Sequence, residues 1–353
     1  TWSNISGATS STYTTPALTT TTYYRAVVTS GVCSPAYSGT VTVNVSPQPV
    51  GGTASASPSS ICSGNTSVLS VSGYTGSIQW QQSPTGTGSW TNISGATSAT
   101  YTTPVLTTTT YYRAVVISGT GCTASNSTTA SVVVTAQSVG GTASVSPSYV
   151  CYNTNTTVSL SGYSGSIQWQ QSSNGTTWSD ISGATNSSYT TGNLTSNLYL
   201  RALVSNSGCT PSYSNTVTIT VFPSLNPGTI ASNQTICSGS TPSAITQTVS
   251  ASGGTGSFTY QWQSSSDNIN WFNISAATNT NYYPPALSST IYYRLLVTSG
   301  TCGNAYTNTV TVTVNPNPVA EAGANQNIFN GASAALTGSA SGGTGSYSYS
   351  WTP

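Results

Sequence analysis

The sequence predicts an all-β chain of tandem sandwich domains, and three observations carry that expectation. First, the stretch Trp2–Cys33 (WSNISGATSSTYTTPALTTTTYYRAVVTSGVC) recurs almost unchanged at Trp90–Cys122, and looser copies begin at Trp178 and Trp271. The starts lie about 90 residues apart, too long for a solenoid unit and the size of an independent small domain. Second, apolar and polar residues alternate with period two in segment after segment, and no segment shows helical periodicity. Third, the 353 residues include 22 Tyr and 8 Trp among many Val and Thr, a composition that packs as β-structure.

Each element follows from its pattern, with Cys62–Val134 as the reference unit. Thr66–Ser72 (TSVLSVS) sets Leu69 and Val71 against polar neighbours, as a half-buried strand does. Ser77–Ser83 (SIQWQQS) puts Ile78 and Trp80 on one face and Gln79 and Gln81 on the other. Trp90–Thr97 holds a glycine turn, and Thr100–Leu106 resumes a strand. Tyr111–Ile117 (YYRAVVI) divides Tyr112, Ala114 and Val116 from Tyr111, Arg113 and Val115. A glycine-rich hairpin carries Cys122, and Ser131–Thr135 closes the unit; Thr40–Val45, Thr216–Val221 and Thr309–Val314 close the others. The expected core residues are Trp80, Trp169 and Trp262, with Tyr112 and Tyr293.

Pro- and Gly-bearing joints at Ser46–Gly52, Gln137–Gly141, Phe222–Gly228 and Asn315–Gly323 separate the units. The expected domains are 1–47 (a C-terminal half), 48–136, 137–223, 224–316 and 317–353 (an N-terminal half). Short joints couple neighbours semi-rigidly, so the expected arrangement is an elongated rod cut as a window from a longer repetitive protein.

The charge inventory excludes much. Charged residues make up 2% of the chain: Arg25, Arg113, Arg201 and Arg294, with Asp180, Asp267 and Glu321, and no His. General acid–base catalysis needs positioned titratable groups, and the three acids fall in different units. Calcium needs clustered carboxylates and zinc needs His or Cys sets, so no cofactor is expected. With no basic cluster, nucleic acid is not an expected partner, and no run reaches the about 20 apolar residues of a membrane span. A net charge of +1 leaves little self-repulsion, and β-edges that usually carry blocking Lys have none. Lateral association of identical chains in a fibre is therefore an expectation, beside covering by glycan.

Several of these stretches carry a resemblance. Ile61–Gly64 (ICSG), Gln79–Gln81 (QWQ), Trp90–Tyr101, Thr110–Arg113 (TYYR) and Gly121–Cys122 resemble the immunoglobulin-like repeats of very large secreted surface proteins of Bacteroidota. The last unit, Ala324–Trp351, is more similar to their PKD-like variant, with Phe329 standing where Cys237 stands one unit earlier. The resemblance implies tandem immunoglobulin-like sandwiches, export by a type IX route, and a place at the cell surface as adhesin, filament or coat.

Seven cysteines alternate between two sites: before the second strand (Cys62, Cys151, Cys237) and in the late hairpin (Cys33, Cys122, Cys209, Cys302). Without His, a metal site or a Cys–His nucleophile lacks its partners, so disulfides in an oxidising compartment are expected. Pairing inside each unit gives Cys62–Cys122, Cys151–Cys209 and Cys237–Cys302, with the partner of Cys33 upstream; each loop of about 60 residues adds roughly 4 kcal/mol. Pairing between neighbours gives Cys62–Cys209 and Cys151–Cys302, because in an immunoglobulin topology the two sites lie at opposite ends of one sandwich. Pairing within each unit is favoured because every complete unit is then self-sufficient.

The four arginines, one per unit at one strand position, form either a ladder for an acidic ligand or stacks on flanking tyrosines bonded to backbone carbonyls; stacking is the expectation. Trp90, Trp178 and Trp271 sit beside turns and are expected to pin them rather than to bind sugars. The expected function is a non-catalytic stalk or filament segment of an extracellular adhesin. The alternative is an array whose repeats hold glycan or cells, each weakly, with affinity gained by number.

Overall fold

A computed structural model describes residues 1–353 and shows a chain of short strands with one 3-10 turn, Gly300–Cys302. It forms two compact units. One comprises Thr1–Gly140 with Gly162–Ser166 and Val204–Tyr213; the other comprises Gly141–Ser161, Ile167–Leu203 and Ser214–Pro353.

In the first unit, the repeat that holds Thr53–Thr135 has nine strands: β1 (Thr53–Ser57), β2 (Ser60–Cys62), β3 (Val68–Ser72), β4 (Ser77–Ser83), β5 (Thr91–Asn92), β6 (Thr100–Thr102), β7 (Thr110–Ile117), β8 (Ser125–Asn126) and β9 (Ala130–Thr135). One sheet runs β6-β3-β1; the other runs β2-β9-β7-β4-β5, with β8 also on β7. The first strand thus switches sheets between Ser57 and Ser60, and β2 pairs parallel with β9 while the remaining ladders are antiparallel. This split first strand and Greek-key order make the repeat an immunoglobulin-like sandwich.

The alternation seen in the sequence sets the faces. Leu69 and Val71 of β3, Ile78 and Trp80 of β4, and Tyr112, Ala114 and Val116 of β7 are buried, and most of them form one core with Val132. Trp80 is wholly buried, and its indole Nε1 donates to Ser98 O at 3.0 Å, so burial leaves no orphaned donor. Strand β6 is shorter than the sequence predicts: Pro104 follows Thr103 and has no N–H for a ladder.

The third and fourth repeats follow the same plan. Thr142–Ser146, Thr157–Ser161 and Ser188–Thr190 form one sheet of the third repeat. In the fourth, Gln234–Cys237, Val310–Asn315, Ile291–Thr298, Thr259–Ser265 and Phe272–Asn273 run in that order. Trp169 and Trp262 are wholly buried, and Tyr293 is buried in one core with Trp262, Leu295 and its ladder partner Val310.

The end segments are smaller. Thr22–Tyr24 pairs with Val41–Val43, Val27–Val28 with Ala36–Tyr37, and Val319–Glu321 with Ser339–Ser341. No helix is long and apolar enough to cross a membrane.

Candidate functional site: the joints and the arginine face

Two places repeat with their chemistry intact: the joint between successive repeats, and the outward face of the strand that carries the arginine.

At the first complete joint, Val139 pairs with Ser164 through two 3.0 Å backbone hydrogen bonds, and Gln137 Nε2 donates to Ser63 O at 2.8 Å. The late hairpin of the third repeat comes back onto this joint. Asn206 Nδ2 donates to Ala136 O at 3.0 Å, and its backbone N donates to Ser138 Oγ at 2.9 Å. That seats Cys209 beside Cys62, and the two form a disulfide with Cα atoms 5.5 Å apart, both side chains buried. The next joint repeats the arrangement. Asn226 pairs with Ser252, Gly254 N donates to Pro223 O at 2.9 Å, and Thr255 N donates to Ser299 Oγ at 2.9 Å. There Cys151 and Cys302 are bridged, with Cα atoms 5.3 Å apart.

The bridges therefore join neighbours, and the within-unit pairing of Cys62–Cys122, Cys151–Cys209 and Cys237–Cys302 is corrected. The reason is geometric: the early turn and the late hairpin of one sandwich sit at its two ends, beyond the reach of a disulfide. Cys33, Cys122 and Cys237 are free thiols in this structure, Cys33 and Cys237 exposed.

On the arginine face, each guanidinium lies over the tryptophan of its own repeat's turn. Arg113 is 4.4 Å from the centroid of Trp90, Arg201 is 4.2 Å from that of Trp178, and Arg294 is 4.2 Å from that of Trp271. Arg294 is also 3.8 Å from Tyr306, and Arg25 lies between Trp2 and Tyr37. Each Nε of the complete repeats donates to a glutamine: Arg113 to Gln81, Arg201 to Gln170, Arg294 to Gln263, at 2.7–2.9 Å. The glutamine amides donate onward to Asn92, Asp180 and Asn273. A polar relay thus crosses three strands under a cation–π stack. Tyrosine stacking is present at Arg25 and Arg294, where Tyr37 and Tyr306 lie nearer than the tryptophans. Two details differ from expectation: a turn tryptophan joins the stack at every arginine, and the acceptor from Nε is a glutamine side chain rather than a backbone carbonyl.

The concave sites are poor in chemistry. One of about 390 Å³ is lined by Ser172, Thr177, Trp178, Ser179 and Leu198; another of about 220 Å³ lies beside the Cys151–Cys302 bridge. Neither is lined by an acid or a base. Asp267 instead organises its own turn, accepting from the backbone N and Nδ2 of Asn270, the backbone N of Ile269 and Ser265 Oγ, which holds its carboxyl well below the usual range.

A family model described as a domain of unknown function, DUF8696, matches residues 1–47, 50–136, 139–223 and 226–316. The chain belongs to the DUF8696 family. No curated protein matches it. Among solved structures, murine CEACAM1b is 16% identical over 48% of this chain and 98% of its own, with a TM-score of 0.34. Drosophila OTK extracellular domains 3–5 are 15% identical over 76% and 95%, with a TM-score of 0.31.

The DUF8696 repeats also use residues that sequence reasoning passed over. The first glutamine of QWQ is a staple: Gln79 Nε2 donates to Trp80 O and Ile93 O, as Gln168 and Gln261 do at their positions. Ahead of the closing strand, Asn215 closes a two-way amide bond on Ala143, and Asn308 does the same on Ile230, tying one sheet to the other. Thr128 is the counterpart on Ala54. The repetition of Gln and Asn at fixed offsets was the available signal.

Proposed function

We propose that this DUF8696 array is a non-catalytic spacer, a stalk or filament-shaft segment of an extracellular adhesive or surface protein. The observation that carries the reading is the bridge at each complete joint, Cys62–Cys209 and Cys151–Cys302. A second covalent connection beside the backbone restricts hinge motion between neighbours, and a spacer needs that restriction where an enzyme or receptor array does not. Disulfides belong to oxidising compartments, which supports an extracellular place. The similarity of the ICSG, QWQ and TYYR stretches to giant Bacteroidota surface repeats supports cell-surface residence and type IX export. Edge strands without lysine support lateral packing of identical chains.

A second reading makes the repeats themselves weak, multivalent glycan holders. It draws on the cleft beside Trp178, whose aromatic wall suits a sugar face. Small-angle scattering of the oxidised and reduced chain, run beside a glycan array, tests both. The spacer reading expects a single extended particle when oxidised, broadening on reduction, and a silent array. Specific glycan binding, or equal flexibility in both redox states, overturns it.

A further inference from the structure

The two bridges are interleaved. Cys62–Cys209 closes one covalent loop and Cys151–Cys302 closes another, with sequence separations of 147 and 151 residues. The loops overlap over residues 151–209, so each peptide bond from Cys62 to Cys302 lies inside at least one loop. We propose that this interleaving makes the span from Cys62 to Cys302 a tether that survives cleavage of its own backbone by an extracellular endoprotease.

The places at risk are the joints. Ala136, Gln137 and Val139 are exposed at one, and Pro223, Ser224 and Asn226 at the other. Exposed connecting backbone is where endoproteases cut. Hydrolysis at the first joint produces a new carboxylate and a new amine, but the pieces stay joined through Cys62–Cys209. Hydrolysis at the second leaves Cys151–Cys302. A cut between 151 and 209 is spanned by both bridges. Pairing within each repeat would have left both joints outside any loop, and one cut would then sever the string. Bridging across the joint covers the exposed residues of both joints that lie between Cys62 and Cys302. The purpose of this device rests on the spacer reading; its covalent logic rests on the bridges alone.

The test is a recognition sequence for a site-specific protease inserted after Gln137, in the full chain with Cys33, Cys122 and Cys237 changed to Ser to prevent exchange. After complete cleavage, a denaturing gel without reductant is expected to show one species, and with reductant two. Cys209→Ser is expected to release two fragments without reductant, whereas Cys302→Ser is not. Moving the site to follow Ser224 is expected to reverse that dependence. Two fragments without reductant from the chain with both bridges intact overturn the proposal. Should a variant fail to fold, peptide mapping of the unreduced, unsubstituted chain decides: a Cys62–Cys122 peptide pair overturns it and a Cys62–Cys209 pair sustains it. A nicked chain that stays in one piece while scattering shows a flexible particle removes only the spacer reading.

Discussion

Each complete repeat carries two tryptophans ten residues or so apart, and the fold uses them in opposite ways. Trp80 is wholly buried at the centre of its sandwich, its Nε1 tied to Ser98 O. Trp90 is half-buried outside, with the Arg113 guanidinium over its ring. The difference lies in strand parity. Trp80 shares its face of β4 with Ile78, while Gln79 and Gln81 point the other way, to the turn and to the arginine. One strand thus carries the core on one side and the polar relay on the other, and a one-residue slip of register would exchange the two.

Substitutions that separate the two faces sharpen this comparison. Trp80→Ala is expected to have the largest effect, a loss of about 3–5 kcal/mol read from urea unfolding, because the vacated volume cannot be refilled. A loss near that of Trp90→Ala would break the contrast. Cys62→Ser in the oxidised chain should cost about 2–5 kcal/mol and lower the denaturant midpoint part of the way to that of the reduced protein, which also lacks Cys151–Cys302. Gln79→Ala removes the staple on the outer face, while Trp80 O and Ile93 O keep the donors Ile93 N and Ala96 N, a loss of about 0.5–1.5 kcal/mol by the same measurement. For the outer face, a double-mutant cycle of Trp90→Ala and Arg113→Ala is expected to give a coupling of about 0.5–1 kcal/mol. A coupling of zero would show the stack to be incidental.

Alkali separates the faces too. Burial pushes the phenols of Tyr112 and Tyr293 up to about 12, with neighbouring Tyr101 and Tyr282 adding to it. The folded state therefore keeps protons that the unfolded chain releases near pH 10. Stability conferred by the neutral, buried phenols is complete below pH 10 and is lost as pH rises towards 12. Circular dichroism against pH should show cooperative unfolding in that window, and Tyr112→Phe should shift it upward.

Much of the fold was legible because period-two alternation directly encodes which residues face inward: Leu69, Val71, Trp80, Tyr112 and Val116 all lie where parity puts them. The connection of the cysteines was not legible from alternation, since parity describes one sandwich and says nothing about which end meets which neighbour. The sandwich topology held the answer, since it sets the early turn and the late hairpin at opposite ends, and self-sufficiency of each repeat proved the weaker argument. Gln79, Asn215 and Asn308 were hidden for a different reason. A carboxamide that bonds backbone has no hydropathy signature, and only its recurrence at one offset marks it.

The pairing of an early cysteine with a hairpin one repeat later also dictates an order of events. Cys62 must wait until residues beyond Cys209 have been made, and Cys122 passes it long before that. The nearer thiol is the kinetic trap. A closed sandwich holds Cys122 at its far end, so the bridge from Cys62 to the next repeat calls for folding ahead of oxidation or for later thiol–disulfide exchange.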